Sequence, residues 1–377
     1  MSDKYCDFKF LRNTSAYFYI NLIICVFGSI ANVINICVLR SKQMQSSTNC
    51  ILTGLALSDL LVMLQYIPFT VHRYYKNMNR IKPDLHFSHA WAVFYKFHAL
   101  FTIVCHFISC CLTIILAIWR YIYISKIHAN NIFSNHRKTK LIVMLTYLLC
   151  PLICFPLYST LFIRDIKQRV DMDGFMVENN QLQQYGPNYS FHNVTIYMLF
   201  PNDPHRLSIW IYSLCLKFLP CILLSILSYF IISKLLDTKR RKRKLLSSCN
   251  PMDDLQGKHR QNSIHLYKES QADRTTIMLL MVLLLFLITE FPQAILGQLI
   301  NIYGDDFYEN CYAPLGDVLD IIALINSSIN FILYCSMSRQ FRKTFNEIFK
   351  ISAILQCFTQ TPKVTEETAI ETKITLL

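Results

Sequence analysis

FYKFHALFTIVCHFISCCLTIILAIWRYIYI, residues 94–124, is the stretch that decides the fold. Roughly 20 apolar residues suffice to cross the hydrocarbon core of a bilayer as a helix, which satisfies its own backbone hydrogen bonds where water is absent. This stretch is longer than that and almost wholly apolar. It therefore predicts a membrane-spanning helix that is tilted in the bilayer.

Several polar side chains lie inside this predicted helix, namely His98, Thr102, His106, Ser109 and Thr113. A helix that only anchored a protein to the membrane would not need them. A helix surrounded by other helices can use them for contacts, ligands or ions. The alternative for each residue is a simple hydrogen bond between helices, and the sequence leaves both interpretations open.

The composition of the whole chain agrees with an integral membrane protein. Of its 377 residues, 53% are hydrophobic and only 16% are charged, against about 25% charged residues in soluble domains. The mean hydropathy is +0.31. The net charge of +13 would indicate nucleic acid as the partner of a soluble protein, but here the basic residues are concentrated in particular loops. The positive-inside rule explains that pattern better, so we expect membrane lipids and no nucleic acid as partners.

Apolar runs recur along the chain and predict an all-α membrane protein, a seven-transmembrane helix bundle followed by a short amphipathic helix. The predicted spans are residues 17–39, 50–71, 94–124, 141–163, 207–236, 275–303 and 314–337. The predicted segments are an extracellular N-terminal tail at 1–16, the bundle with its loops at 17–337, a third intracellular loop at 237–273, the amphipathic helix at 338–350 and a cytoplasmic tail at 351–377.

The charges between the spans predict the orientation. Lys and Arg are dense after the first, third, fifth and seventh spans, most of all at 239–244. That pattern places the N-terminus outside and the C-terminus inside a multi-pass plasma-membrane protein. The sequons of Asn13, Asn188 and Asn193 then all lie outside, where they are candidates for glycosylation.

The sequence predicts one disulfide, one lipid attachment site and one helix that lies on the membrane surface. Most of the 15 cysteines lie in apolar runs and act as small hydrophobic residues. Cys6 and Cys311 fall on the outer side and could form a disulfide, and Cys357 could carry palmitate. In residues 338–350 the apolar side chains fall on one face with basic residues around it, which suits a helix on the inner leaflet.

Asp59 is the most informative single residue of the spans. A lone carboxylate at membrane depth costs a few kcal/mol unless it is neutral, paired or bound to an ion. The polar residues available to partner it are Asn32, Ser109, Asn326, Ser327 and Asn330. Their oxygens are hard ligands that suit a small cation. A hydrogen-bonded structural cluster around a protonated Asp59 explains the same residues equally well.

Three further acids, Glu290, Asp317 and Asp320, lie in the last two spans. Glu290 comes just before Pro292, which frees a backbone carbonyl and bends the helix. Acids that face an outer cavity would attract a cationic ligand. A set of intramembrane hydrogen bonds is the alternative.

The motifs of enzymes and of secondary transporters are absent from the sequence. It contains no His-Glu-x-x-His cluster, no Gly-x-Ser-x-Gly and no phosphate-cradling loop. The prolines are scattered without the repeated halves that transporters show. We therefore predict that the protein is not an enzyme and that it has no cofactor.

The order and spacing of several short motifs resemble those of rhodopsin-like (class A) G-protein-coupled receptors over residues 17–350. The matching elements are Asn32, Leu55–Leu60, Trp119–Tyr121, Pro220, Phe286, Pro292 and Asn330–Tyr334. Three of the segments are also similar to the myosuppressin and FMRFamide-like peptide receptors of invertebrates, those of nematodes above all. These segments are Ala117–Ile122, Thr289–Gln293 and Asn326–Tyr334.

The resemblance implies a receptor for an amidated neuropeptide ending in Arg-Phe-amide, coupled to a heterotrimeric G protein. The residues that it implies for the switch and the G-protein contact are Arg120, Tyr121, Tyr334, Phe286 and Pro292. It also implies a pocket for a sodium ion, acting as an allosteric ligand. That pocket would be formed by Asp59, Ser109, Asn326 and Asn330.

The chain departs from the usual receptor pattern at several positions. Trp119 replaces the acid that usually restrains the Arg after it, Glu290 replaces a Trp, and Phe331 replaces a Pro. Tyr147 stands near the usual Trp of the fourth helix. The usual disulfide between the third span and the second outer loop is missing, because residues 164–206 contain no Cys.

The acids lead to a hypothesis about the ligand. Glu290 has no obvious basic partner in the spans, so we expect it to pair with the Arg of the ligand, with Asp317 or Asp320 as secondary partners. Thr102, His98 and Gln293 are further candidate ligand contacts. Two alternatives stay open, a chemosensory receptor for a small molecule and a seven-helix transporter or scaffold without G-protein signalling.

Overall fold

A computed structural model of the chain confirms the predicted fold class. It describes residues 14–76, 86–125, 136–172, 174–175, 177, 191–201, 211–248, 256–304, 307 and 311–350. Within these ranges, seven helices are long and apolar enough to cross a membrane. Large apolar side chains such as Met144 and Leu148 are exposed on the outside of the bundle, as expected where lipid surrounds a helix.

The helices are numbered in chain order. The seven that form the bundle are α1 (Thr14–Leu39), α2 (Ser47–Lys76), α3 (His89–Ile124), α4 (His136–Cys154), α5 (Leu219–Ser248), α6 (Gln256–Tyr303) and α7 (Ala313–Met337). A π-helical segment, Ile211–Phe218, leads into α5. A short helix, α8 (Arg339–Phe349), follows α7.

The helix α3 lies at the centre of the bundle, where it contacts α2, α4, α5 and α6. Its buried face mixes apolar residues such as Leu112 and Leu116 with hydroxyls such as Thr113. The Thr113 hydroxyl donates to the backbone oxygen of Ser109 at 2.7 Å. Because hydroxyls of this kind find an acceptor inside their own helix, they can be buried without an unpaired polar group.

Asn32 joins α1 to α7. Its Nδ2 atom donates to the backbone oxygens of Gly28 at 3.0 Å and of Ser327 at 2.9 Å. The side chain is fully buried. A hydrogen bond between membrane helices contributes on the order of 1 kcal/mol, so Asn32 helps to hold α7 against α1.

The helices α2 and α4 approach each other closely at Gly54. A Cβ atom on Gly54 would lie 2.9 Å from Cγ1 of Val143 and 3.2 Å from Cδ1 of Leu112. The hydroxyl of Tyr147, the residue near the usual Trp position, donates to the backbone oxygen of Gly54 at 2.7 Å. Glycine is therefore required at this position for close packing, as at other small-residue contacts between membrane helices.

The prediction for the fourth span, 141–163, was wrong at its end. The helix α4 ends at Cys154 and is followed by a 3₁₀ turn, Phe155–Thr160, in which Pro156 has no N–H to continue α-helical hydrogen bonding. Leu161–Val170 (β1) and His192–Pro201 (β2) then form an antiparallel hairpin. β2 is rich in β-branched and aromatic residues, which favour strands, but the polarity of the region as a whole predicted a loop.

The hairpin is attached to the end of α3 by non-covalent contacts. The backbone N–H of Tyr197 donates to the oxygen of Phe87 at 2.9 Å, and the Tyr197 ring packs edge-on against His89 at 5.2 Å between centroids. Nζ of Lys96 lies 5.8 Å from the centroid of the Phe162 ring in β1. A cation over an aromatic ring contributes about 0.5–2 kcal/mol, so these contacts take over part of the role of the missing disulfide.

The predicted third intracellular loop, 237–273, is helical over most of its length. The helix α5 continues to Ser248 and α6 begins at Gln256. The segment is rich in Lys, Arg, Leu and Gln, straight-chain residues that lose little rotamer freedom in a helix. The polarity of this segment marks the ends of the membrane spans and does not end the helices.

The predicted amphipathic helix at 338–350 corresponds to α8. Ser338 caps its N-terminus by accepting a hydrogen bond from the backbone N–H of Phe341 at 3.2 Å. The Phe341 side chain is 1% exposed and packs against Tyr334 and Phe331 of α7. Phe331, which replaces the usual Pro, therefore helps to fix α8 against the bundle.

Candidate functional site

A cavity of about 330 Å³ opens in the half of the bundle nearer to the hairpin. It is bounded by α2, α3, the π-helical segment, α6 and α7, which contribute among others Tyr66, Thr102, Lys217, Gln293 and Asp320. Sites for drug-sized molecules range over about 300–1,000 Å³. This cavity can therefore hold a small ligand or one end of a larger one.

The wall of the cavity formed by α2 and α7 carries an excess of negative charge. Nη1 of Arg73 lies 2.6 Å from Oδ1 of Asp317, so these two charges offset each other. Asp320 lies about one helical turn further along α7 and lines the cavity together with Tyr66 of α2. No described Lys or Arg forms an ion pair with Asp320, although Arg73 and Lys217 are near enough to attract it, so two carboxylates share Arg73 on this wall.

A buried ion pair lies at the floor of the cavity. Nζ of Lys217, in the π-helical segment, donates to Oε2 of Glu290 in α6. The same Nζ donates to Oε1 of Gln293 at 3.1 Å, and Nε2 of Gln293 donates to the backbone oxygen of Leu319 at 3.0 Å. These hydrogen bonds join the fifth, sixth and seventh spans at the depth of the proline in α6.

The expectation that Glu290 lacks a basic partner in the spans was wrong. Lys217 is that partner, and the two residues are only 9% and 3% exposed. Glu290 lines a small void of about 10 Å³ behind Lys217 and not the larger cavity. An arginine of the ligand would have to displace Lys217 to reach it. Breaking a buried pair is strongly unfavourable, so Asp320 is the better partner for a ligand cation.

Sequence reasoning overlooked Lys217 although a signal was present. Lys217 lies in the middle of the apolar run of the fifth span, far from Lys234 near its inner end, and an ionisable residue at membrane depth marks a functional site by default. Its segment is π-helical and becomes α-helical at Leu219, next to Pro220, which has no backbone N–H to donate. Single π-helical turns are frequent at functional sites.

The structure separates the other candidate ligand contacts. Thr102 and Gln293 line the cavity together with Asp317 and Asp320. His98 does not line it, because its ring stacks on Phe69 at 3.9 Å between centroids and is only 5% exposed. His98 lies one helical turn before Thr102 on α3, and the sequence therefore placed both on the face towards the ligand. In the structure, aromatic packing between α2 and α3 covers the His98 imidazole.

Asp59 forms a buried polar cluster between α2, α3 and α7. Its Oδ1 accepts from the Ser109 hydroxyl at 3.2 Å, and its Oδ2 accepts from Nδ2 of Asn330 at 3.1 Å. Ser327 is buried on the same helix as Asn330. Within the described ranges no hydrogen bond joins Asn326 to Asp59, so the part of Asn326 in the sodium pocket stays a prediction. Carboxylate and hydroxyl oxygens of this kind fit a sodium ion.

Arg120 lies buried at the end of the bundle that carries α8. It is 8% exposed, and its Cζ lies 5.9 Å from the centroid of the Tyr123 ring. Its Nε atom has no hydrogen bond among the residues that the structure describes. Because Trp119 occupies the usual position of the acid, the guanidinium is held here by packing.

The remaining switch residues are spread along the bundle. The Tyr121 ring lies 6.0 Å from that of Phe230 in α5, and Tyr334 is 2% exposed against α8. Phe286 belongs to a buried cluster between α3, α5 and α6. Pro292 lies inside α6, two residues after Glu290. Phe286 lines the small void beside Glu290 and shares its cluster with Tyr121, whereas Tyr334 belongs to a separate cluster with Phe341 of α8.

The predicted modification sites are only partly described. Cys311 is disulfide-bonded, whereas Cys6 and Cys357 lie outside the described residues. Asn13 and Asn188 lie outside them too. Asn193 is exposed at the start of β2, where a glycan would have room.

Comparisons with known proteins agree with this architecture. The chain matches the family described as serpentine type 7TM GPCR chemoreceptor Srw over residues 19–352. It is 29% identical over 356 residues to the G-protein coupled receptor dmsr-1 of Caenorhabditis elegans, covering 90% of this chain and 69% of that protein. It is 27% identical over 358 residues to the sex peptide receptor of Drosophila melanogaster, covering 91% and 74%.

Among solved structures, squid rhodopsin is similar, with a TM-score of 0.63 and 16% sequence identity over 94% of this chain and 91% of that one. This likeness shows the fold alone. The family match covers nearly the whole bundle, and proteins of the family are receptors and not enzymes. Such a protein crosses the plasma membrane several times and has a ligand and a G protein as partners. The chain therefore belongs to the serpentine seven-transmembrane G-protein-coupled chemoreceptor family Srw.

Proposed function

We propose that this receptor binds a peptide ending in Arg-Phe-amide on its outer side and activates a heterotrimeric G protein on its inner side. The N-terminus and the hairpin lie outside, and Arg120 contacts the G protein once α6 moves outward. Ligand binding would shift the population towards that open state because the ligand binds it more tightly. A sodium ion at Asp59 would act as an allosteric ligand of the closed state.

The observation that carries this proposal is the charge of the cavity. The charge of Arg73 offsets that of Asp317, and the charge of Glu290 offsets that of Lys217. Asp320 adds a third carboxylate to these two cations, so the charges sum to one net negative charge, which lies on the cavity wall. A buried carboxylate recognises a guanidinium well, because the planar donors of Arg match its two oxygens.

The size of the cavity and one relative also support a peptide ligand. At about 330 Å³ the cavity can enclose the last one or two residues of a peptide. The rest of the peptide would lie across the hairpin, whose strand β1 carries basic and acidic residues. One relative is named for a peptide ligand, the sex peptide receptor.

The test is a screen of amidated peptides against the receptor in cells, with a promiscuous G protein and calcium release as the readout. Asp320→Asn is then combined with replacement of the peptide Arg by citrulline, its neutral isostere. Each change alone should lower potency by about tenfold to a hundredfold, because each removes one partner of a charged hydrogen bond. The two together should cost little more than one, since the shared contact is already lost.

Asp317→Asn is the matched control for this cycle. Arg73 already pairs with Asp317, so the coupling of Asp317 to the peptide Arg should be smaller than that of Asp320. If the losses of potency caused by Asp320→Asn and by citrulline are fully additive, Asp320 is not the partner of the peptide Arg. This comparison requires that the wild-type and Asp320→Asn receptors both reach the cell surface.

The second candidate function is a chemoreceptor for a small cationic molecule. It is favoured by the description of the matching family as chemoreceptors and by a cavity at the small end of the usual range. Silence towards every amidated peptide, together with a response to small amines or guanidines that is lost in Asp320→Asn, would support it. Family membership disfavours the remaining alternative, a transporter or scaffold without G-protein signalling.

A further inference from the structure

We propose that the Lys217–Glu290 pair determines the specificity of the receptor for the C-terminal group of the ligand. The pair favours a neutral amide over a free carboxylate. This inference rests on the proposed function, in which the C-terminus of a peptide enters the cavity. Lys217 lines the cavity, whereas Glu290 lies behind it in the small void. The ligand therefore meets a cation whose charge is already offset by an acid that it does not touch.

The arrangement at the cavity floor suits a group that both donates and accepts hydrogen bonds. Gln293 presents an amide oxygen there, which accepts from Lys217, and a carbonyl oxygen has a second lone pair. The His106 ring faces both the cavity and the void, and an imidazole nitrogen can serve as donor or acceptor. A primary amide can use donors and acceptors together, whereas a carboxylate can only accept.

The charges at the floor also oppose a carboxylate. A carboxylate that approaches Lys217 also approaches Glu290, which is hydrogen-bonded to the same Nζ. The attraction to one is offset by the repulsion from the other, while the loss of hydration of the carboxylate remains. Specificity for an amide then arises as much from rejection of the free-acid form of the peptide as from contacts with the amide.

Glu290 is therefore the residue that sets this specificity. Its removal would leave Lys217 as a buried cation without its carboxylate, which attracts a free acid. The removal of Lys217 would have the opposite effect, since it leaves an unpaired carboxylate that repels one. The two single substitutions should move the preference in opposite directions, a result that simple damage to the fold does not produce.

The experiment compares one peptide as the C-terminal amide and as the free acid, and measures the ratio of acid EC50 to amide EC50. In the wild type this ratio should be well above one. In Glu290→Gln it should fall by about tenfold or more, and in Lys217→Met it should rise. The double variant Lys217→Gln with Glu290→Gln carries neither charge and should keep a ratio close to that of the wild type.

Surface labelling accompanies every measurement. If Glu290→Gln does not reach the surface, the Lys217→Met ratio decides alone, and an unchanged ratio overturns the inference. An equal ratio in the wild type and Glu290→Gln also overturns it, although the wild-type response to amidated peptide leaves the proposed function intact. Silence of the wild type towards all amidated peptides overturns the proposed function and this inference with it.

Discussion

Individual residues at membrane depth show how this protein keeps polar groups inside a bilayer. Lys217 is paired with Glu290, and Asp59 accepts hydrogen bonds from Ser109 and Asn330. An unpaired charge there would cost several kcal/mol. Lys217 and Asp59 are each tied to specific partners on another helix, which makes them sensitive to movements of the bundle.

Asp59 leads to a prediction about sodium. In purified receptor, replacing choline by sodium at constant ionic strength should raise the Tm of the wild type by about 2–4 °C, because an ion that binds only the folded state stabilises it. Asp59→Asn should abolish this shift, since it removes the charged ligand. The measurement is a thermal unfolding assay over a series of sodium concentrations.

Ser109→Ala is the companion variant for the sodium series. It removes one hydroxyl oxygen and leaves the carboxylate, so it should weaken the sodium response without abolishing it. If Asp59→Asn and the wild type show the same sodium-dependent rise in Tm, the cluster is structural only and the sodium pocket is refuted.

At the scale of elements, the packing of α2 against α4 depends on one glycine. The Cβ of an alanine at Gly54 would lie 2.9 Å from Val143, and overpacking of this kind costs about 1–3 kcal/mol. Alanine would gain about 1 kcal/mol of helix propensity over glycine. The overpacking is the larger effect, so we expect Gly54→Ala to lower the Tm of the solubilised receptor by about 2–4 °C.

Gly316 provides a matched control on α7. A Cβ there would meet no atom within 4 Å, so Gly316→Ala gains helix propensity without a clash. Its Tm should be equal to or above that of the wild type. A Gly54→Ala receptor as stable as Gly316→Ala would show that α2 and α4 are not in close contact at this position.

At the scale of the whole molecule, the cavity and the buried Arg120 lie at opposite ends of the bundle. The Lys217 network lies at the depth of Pro292 in α6, and the Phe286 cluster follows one to two turns further along that helix. Among the described residues no acid forms an ion pair with Arg120, which packs near the Tyr123 ring. A change in the network at one end can thus alter the position of α6 at the other.

Arg120→Ala tests this coupling. The variant should lose most G-protein signalling, because it lacks the cation that we propose contacts the G protein, but it should bind labelled agonist as the wild type does, since the cavity is unaltered. Saturation binding on membranes and a G-protein activation assay on the same preparation measure the two properties. Arg120→Lys keeps a cation at this position and should retain part of the signalling.

A loss of ligand binding in parallel with signalling would instead show that Arg120 supports the folded bundle. Undiminished signalling by Arg120→Ala would place the G-protein contact elsewhere on the inner face. Either result would remove the assignment of Arg120 as the switch residue.

The sequence by itself determined the seven spans, the α8 helix and the presence of a carboxylate, Asp59, at membrane depth. These properties depend on hydrophobicity over about 20 residues and on the rarity of charge in a bilayer, and both are local. The polarity of residues 237–273 and 164–206 predicted loops. The structure instead has extended helices in the first segment and a hairpin in the second. Polarity indicates where a membrane span ends. The secondary structure beyond that point depends on helix and strand propensity.

Only the tertiary structure decided which polar groups meet. Lys217 and Glu290 are 73 positions apart, and Asn330 and Asp59 are 271 apart. Sequence spacing places each residue on a helix face but does not determine how the helices are rotated against one another. That rotation brings Phe69 over the His98 ring, and it places the positive charge of Lys217 beside the negative charge of Glu290. Packing of complete side chains between helices sets it, and no single helix contains that information.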